Sequence, residues 1–427
     1  MSAAAVRSPV DEAPAAGYTQ PTVKYLTDRH ADRPADDPIF ALNREATQRR
    51  AAGESIVNAT VGALLEDNGT LAVLPSVVQA LHGVLPARGA AYAPIAGAPD
   101  FLAAVVDDMV GGTSLASRAT AVATPGGSGA LRHAVSTFLD RGQTLVTSSF
   151  YWGPYTTIAD EHERTVTTFP MFDAKGGFDV AALSRTLDDV AARQGRVLLF
   201  LNDPCHNPTG YSLDDAEWTA IASVLRTVAH RVPLVVLCDV AYRAYARNPT
   251  GFLRHVDALA DDALILFAWS ASKSFAQYGL RVGALVACTG DSSQRSAVQR
   301  ALSFASRGTW SNCNAAGMAA ITQCLTDPST RAQVGRERSR LTTLLDARVQ
   351  AFNRAAAGTS LRYPRYDGGF FVTVFVPEAA RAAEDLKSRG VFVVPQPGAV
   401  RVALCSVAEA DIPRLVHELD TAVRAAT

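Results

Sequence analysis

Lysine is scarce in this chain. Of 40 basic residues among 427, four are lysines (Lys24, Lys175, Lys273 and Lys387) and the rest are arginines. A merely solvated cation is therefore expected to be arginine here, and each lysine raises the question of what arginine could not do in its place. Cysteine is sparse as well: Cys205, Cys238, Cys288, Cys313, Cys324 and Cys405 show no CxxC spacing and no Cys/His pairing. That pattern indicates neither a metal site nor a disulfide framework and reads them as small apolar side chains. No apolar run approaches the roughly 20 residues that a membrane helix needs, and the start, MSAAAVRSPVDEAPAAG, has no apolar signal core. Neither sign of charge is in excess. Forty basic against 41 acidic residues give a net charge of -1, which leaves no surplus to grip nucleic acid or an anionic membrane. What remains is a globular, cytoplasmic protein, 48% hydrophobic, that acts on small polar molecules and is long enough for two domains or one domain with a lobe.

Residues 1–35, rich in Ala, Pro and Asp without sustained periodicity, are expected to form an arm. Order is expected from DPIFALNREATQRRAAG onward. From about residue 119, short β-branched runs (ATAVATP, QTLVTSS, RVLLFLN, LVVLCD, ALILFAWS) alternate with amphipathic helical stretches. This alternation predicts an α/β fold with a mainly parallel sheet covered on both faces. After a long helical stretch around RAQVGRERSRLTTLLDARVQAFNRAAAG, the pattern changes to YDGGFFVTVFV, a helix, VFVV, VRVALCSV and a closing helix. We expect a small α+β domain from 36–70 with 340–427 and a large domain over 71–339.

Ligands of open parallel sheets bind where loops leave the carboxyl ends of the strands. Four such exits are unusual: TPGGSGALR, NDPCHNPTG, DVAYRAY and SASKSF. Gly126, Gly127 and Ser128 suit an anion at a helix start, or form a plain turn with a serine cap. The stretch Asn207 to Gly210 alone reads equally as a turn. Asp239 closes five consecutive apolar residues, so its carboxylate needs a partner or a helix end to cap. Lys273 sits among three small hydroxyl residues, and a lysine, unlike an arginine, can lose its proton and attack a carbonyl.

In combination, these exits resemble the class I pyridoxal-phosphate-dependent aminotransferases, in the aspartate and aromatic branch of fold type I. VNATVGALLEDNGTLAVLPSV, YAPIAGAPDFLAAV, TPGGSGALR, FYWGPY, CHNPTG, DVAY, SASKSFAQYGLRVGA, RGTWSN and VRVALCSV occur in that family's order across nearly the whole chain. The resemblance implies a seven-stranded-type sheet and a homodimer with shared active sites. It implies that Lys273 binds pyridoxal 5'-phosphate as a Schiff base and shuttles the proton, that Asp239 holds the ring nitrogen, and that Asn207 and Tyr242 address the ring's phenolic oxygen. Trp152 and Ala241 would flank the ring. Gly127, Ser128, Ser270 and Arg281 would bind the phosphate, joined by Tyr92 from the neighbouring subunit. Arg401, with the Gly62 backbone, would fork the substrate's α-carboxylate. Arg307 matches the residue that grips a distal carboxylate from the other subunit, or is a structural interface cation. The family's dicarboxylate enzymes continue SNPP, where this chain has Ser311, Asn312, Cys313 and Asn314, and Ile39 and Phe40 in the side-chain pocket are not diagnostic.

The implied reaction is ping-pong transfer of an amino group between an L-amino acid and a 2-oxo acid. The alternatives are elimination or replacement at the β or γ carbon of a specialised amino acid on the same scaffold, and a non-catalytic ligand sensor, which would need a DNA-binding module that is not visible.

Overall fold

A computed structural model of the chain describes residues 25–34 and 36–426. Most of the expected arm lies outside the described residues. Its described part carries one helical turn, Asp28–Ala31, and is tied to the large lobe by Arg29 paired with Glu163 and Arg33 paired with Asp160 and Glu161.

Strand β1 (Val57–Asn58) belongs to the smaller lobe. The main sheet consists of β2 (Ala119–Thr124), β3 (Thr144–Ser148), β4 (Thr165–Phe169), β5 (Val197–Asn202), β6 (Leu234–Asp239), β7 (Leu264–Ser270) and β8 (Gly283–Cys288). Their order across the sheet is β2-β8-β7-β6-β5-β3-β4. Strands β3 to β7 pair in parallel, whereas β8 runs antiparallel to both β7 and β2. This is the mainly parallel α/β sheet that the alternating pattern implied, with the seven strands that the family resemblance implied. The connections explain the one reversal. Helices Pro154–Glu161, Val180–Gln194 and Asp215–Ala229 each carry the chain back for another parallel strand. Between β7 and β8 lies only the short helix Ala271–Ser274 and a loop, too short for a crossover, so the chain returns antiparallel.

Strands β4 and β8 were not read from the sequence. TVTTF lies at the sheet's edge with only its last residue fully buried, and GALVAC follows a loop instead of a helix. Side chains alternate across the sheet as a two-faced core requires. Val236 and Cys238 of β6 pack with helices Pro99–Val110 and Asp215–Ala229, while Leu237 packs with helix Gly126–Phe138 on the other face.

The smaller lobe adds β9 (Val372–Phe375), β10 (Val391–Phe392), β11 (Val394–Gln396) and β12 (Ala399–Val402). Strands β11, β12 and β9 form an antiparallel sheet, and β1 pairs with β10 in parallel. The 29-residue helix Pro328–Ala356 joins the lobes: Val334, Leu341 and Leu345 enter the large core, and Val349, Phe352 and Ala356 enter the small one. We propose that 36–70 with 340–427 and 71–339 act as two domains meeting along this helix. Among the described residues no helix is long and apolar enough to cross a membrane.

Candidate active site

The carboxyl ends of β5, β6 and β7 bring Asn202 beside Asp239 and Asp239 beside Ala268, with Ser270 two residues further along β7. They open onto a cavity of about 430 Å³ that also takes residues from the smaller lobe, including Gly62, Phe371 and Arg401.

Ser270 ends β7 and its hydroxyl accepts the Ser272 N–H at 3.2 Å, which starts the single helical turn that carries Lys273. The lysine's Nζ donates to the Gly62 carbonyl at 2.6 Å and lies 4.5 Å above the Tyr278 ring. Burial, with lesser repulsion from Arg281 and Arg401, brings its pKa down to about 8, against the usual value near 10.4. An amine with that pKa is a competent nucleophile near neutral pH.

Asp239 is buried and, among the described residues, forms no ion pair. Its Oδ2 accepts the Tyr155 hydroxyl at 2.8 Å and its Oδ1 accepts the Ala241 N–H at 3.2 Å, while burial pushes its carboxyl above the usual range. A carboxylate kept at that depth with only neutral donors retains its demand for a cationic or proton-bearing partner in the cavity. Asn202 donates to the Asp239 carbonyl at 2.7 Å and accepts the Asn207 N–H at 2.6 Å. Asn207 in turn donates to the Tyr242 hydroxyl at 3.1 Å, leaving the phenolic proton of Tyr242 available and the buried Asn207 Oδ1 without a partner.

Helix Gly126–Phe138 begins at the cavity with no side-chain cap, so Ser128 is not the capping serine that a plain turn would have required. Gly126 has φ +70°, and a Cβ there would stand 2.4 Å from Nη2 of Arg281. The guanidinium of Arg281 is held by Ser272 Oγ at 3.1 Å and the Tyr278 carbonyl at 2.9 Å. Free helix N–H groups, two hydroxyls and a guanidinium form a pocket for a phosphate-like dianion. Trp152 and Ala241 also line the cavity.

Arg401, on β12, is buried beneath Phe371, with its guanidinium carbon 4.7 Å from the ring centroid. One Nη donates to the Thr60 carbonyl and the buried Nε has no partner. Gly62 must lack a side chain, since a Cβ would meet the Phe371 ring at 2.4 Å.

The fold thus gathers Lys273, Asp239, Tyr242, Asn207, Gly127, Ser128, Trp152, Ala241, Ser270, Arg281, Arg401 and Gly62 around one cavity. Tyr92 and Arg307 lie elsewhere: Tyr92 is 92% exposed, and Arg307 ends helix Ser292–Arg307, donating to Ser311 Oγ at 2.6 Å. Sequence reasoning missed Asn202, Tyr155, Tyr278 and Phe371. All four lie within stretches singled out above, NDPCHNPTG, FYWGPY, SASKSFAQYGLRVGA and YDGGFFVTVFV, without standing out individually.

A low-pKa lysine, an unpaired buried carboxylate and a dianion pocket on an α/β sheet define an enzyme that works through a carbonyl group held by an amine. The family model for aminotransferase class I and II matches residues 54–419, and the chain belongs to that family. It is 30% identical over 314 residues to the aromatic-amino-acid aminotransferase of Paracoccus denitrificans, covering 70% of this chain and 75% of the relative. It is 27% identical over 387 residues to the tyrosine aminotransferase of Klebsiella pneumoniae, covering 87% and 94%. A solved aminotransferase of Anaerococcus prevotii superimposes with a TM-score of 0.89 at 30% identity, over 93% of this chain and 99% of that one. The protein is an aminotransferase, and nothing in the site favours a lyase.

Proposed function

We propose that the protein transfers the amino group of an L-amino acid with a bulky apolar side chain to a 2-oxo acid, with pyridoxal 5'-phosphate as cofactor, by a ping-pong route. The observation that carries the donor class is the cavity lining. Among the described residues of its own chain, Lys273, Arg281 and Arg401 are the basic ones that line it, and Ile39, Phe40, Val61, Leu131, Trp152 and Phe371 supply apolar walls. With Lys273 and Arg281 engaged by the cofactor, Arg401 is left for one carboxylate, and its unpartnered Nε offers the second prong of a fork. Apolar walls then receive the side chain.

The residues present fit the cofactor. The Asp239 carboxylate, without an ion pair among the described residues, and the cradle at Gly126 are features of a site shaped around a further group. We assign the phosphate to Gly127, Ser128, Ser270 and Arg281, the ring faces to Trp152 and Ala241, the ring nitrogen to Asp239, and the phenolic oxygen to Asn207 and Tyr242. When bound, the cofactor supplies an electron sink for the charge left at the substrate's α carbon. Asp239 keeps a proton on the ring nitrogen. Tyr242, its hydroxyl already accepting from Asn207, donates to the phenolic oxygen. Lys273 would carry a proton on Nζ between the substrate's α carbon and the cofactor carbon that receives the amino group. Arg401 holds the carboxylate and so orients the α C–H towards Nζ.

We further propose a homodimer in the cytoplasm, with Tyr92 and Arg307 reaching a neighbouring copy's cavity. Three large side chains on this face stand open: Tyr92, Phe304 (83% exposed) and Leu85 (71% exposed). The helix before Tyr92 packs on helix Ala315–Thr326, which follows Arg307, so these residues share one region. Six unpaired thiols suit a reducing compartment.

The test is an absorbance screen of the half-reaction, with cofactor-loaded protein and one amino acid at a time. Aromatic and large aliphatic donors should bleach the cofactor band and leave the amine form. Ammonia release instead, or reaction with small polar donors only, would overturn the proposal.

A further inference from the structure

One buried hydroxyl behind Asp239, outside the cavity lining, has no place in the reaction as described. Tyr155 is 1% exposed and sits in the first turn of helix Pro154–Glu161, reaching across to a carboxylate 84 residues away in the chain. Resting on the reading of the site given above, we infer that Tyr155 is a positioning residue for the reaction. Its hydroxyl grips Oδ2 of Asp239 and so keeps that carboxylate charged and turned into the cavity.

Three observations carry this. First, the bond is the shorter of the two that the carboxylate accepts: 2.8 Å from Tyr155, against 3.2 Å from the Ala241 N–H. Among the described residues no ion pair shares the load, so removing the phenol would leave a buried anion with a single long hydrogen bond. Secondly, the backbone of Asp239 is fixed without it. Strands β5 and β7 flank the residue, and Asn202 holds its carbonyl at 2.7 Å. The hydroxyl therefore acts on the carboxylate and not on the course of the chain. Thirdly, the ring that carries the hydroxyl is clamped. Phe200 meets it edge-on at 5.1 Å and Trp152 at 6.0 Å, and Tyr151 stacks at 6.2 Å. Tyr155 thereby joins the side chain assigned to cover the cofactor ring to the one assigned to hold its nitrogen. Burial raises the phenol well above its usual range, so it remains a neutral donor throughout the working range.

The experiment uses the full-length, cofactor-loaded protein and Tyr155→Phe, which keeps the ring and deletes one O–H. Loss of a hydrogen bond to a charged group corresponds to about a 10- to 100-fold effect. The half-reaction rate constant should fall by that factor, while the apparent dissociation constant of the amino donor stays within about twofold. The pyridoxal phosphate dissociation constant should rise, and the visible band of the loaded protein should shift, because ring-nitrogen protonation now rests on a weaker partner. In an Asp239→Ala background the same change should cost nothing further, since the acceptor has gone. A rate within about threefold of wild type with an unshifted band would overturn the inference. So would a Tyr155→Phe protein that fails to fold, or an equal loss in the Asp239→Ala background, because either would make the hydroxyl structural. Failure of the wild-type protein to take up pyridoxal phosphate would sink the functional reading itself, a result distinct from a loaded wild type beside an unaffected variant.

Discussion

Arg401 and Arg307 carry the same guanidinium in opposite surroundings. Arg401 is 4% exposed, covered by Phe371, anchored to a backbone carbonyl and left with an unpartnered Nε. Arg307 closes an exposed helix end and hydrogen-bonds only its neighbour Ser311 among the described residues. The first is preorganised by its own chain and demands a ligand. In the homodimer proposed above, the second would become a recognition element when another copy covers the exposed face around it. The same contrast separates the cavity floor, where Lys273 and Asp239 are tuned by burial, from the face that bears Tyr92.

The largest expected effect breaks the comparison at the floor. Lys273→Arg should keep the fold and the positive charge but abolish covalent loading, because a guanidinium does not attack a carbonyl. Borohydride treatment followed by peptide mass analysis should find the cofactor on Lys273 in the wild type and on no residue in the variant.

Next come the two arginines. Arg401→Ala should weaken every donor by roughly 30-fold or more, since each presents the same α-carboxylate to a buried charge. Arg307→Ala should affect glutamate and aspartate by a similar factor and leave phenylalanine or leucine within about twofold. Equal losses for acidic and apolar donors with Arg307→Ala would make it an interface cation and would erase the contrast drawn here.

The smallest effect sharpens the view of the floor. With the Lys273 amine at about 8, cofactor uptake by the apoprotein should accelerate with pH through about 8 and then level off. At pH 7 it should be about tenfold slower than the plateau, because roughly a tenth of the amine is neutral there. The sign for stability is the same. A base whose folded pKa lies below its unfolded value binds fewer protons when folded, so the apoprotein should gain stability between about pH 8 and about 10.4. Stopped-flow absorbance and denaturant melts across this range measure both, and uptake still rising at pH 10 would mean an ordinary, solvated lysine.

Much of this architecture was legible because it is periodic. Alternating β-branched runs and amphipathic helices define the sheet, and polar residues at strand ends stand out against five or more apolar neighbours, as Asp239 does after LVVLC. The strand β8 escaped because its reversal depends on a connection too short for a crossover, a property of the path and not of GALVAC itself. Asn202, Tyr155 and Phe371 escaped because each matters through a contact with a distant segment: Asn202 with Asp239, Tyr155 with the same carboxylate, Phe371 with Gly62 and Arg401.

The sequence by itself determined the class of sheet and the chemistry available, since residue type alone decides that an amine, a carboxylate and a guanidinium stand at strand ends and that one scarce lysine is among them. Only the tertiary structure decided their state. Burial lowers the Lys273 amine and raises the Asp239 carboxyl, and both shifts arise from desolvation by segments remote in the chain. Which arginine faces a cavity and which is exposed among the described residues was likewise settled by packing, because Arg401 of β12 lies beneath Phe371 whereas the end of helix Ser292–Arg307 is exposed.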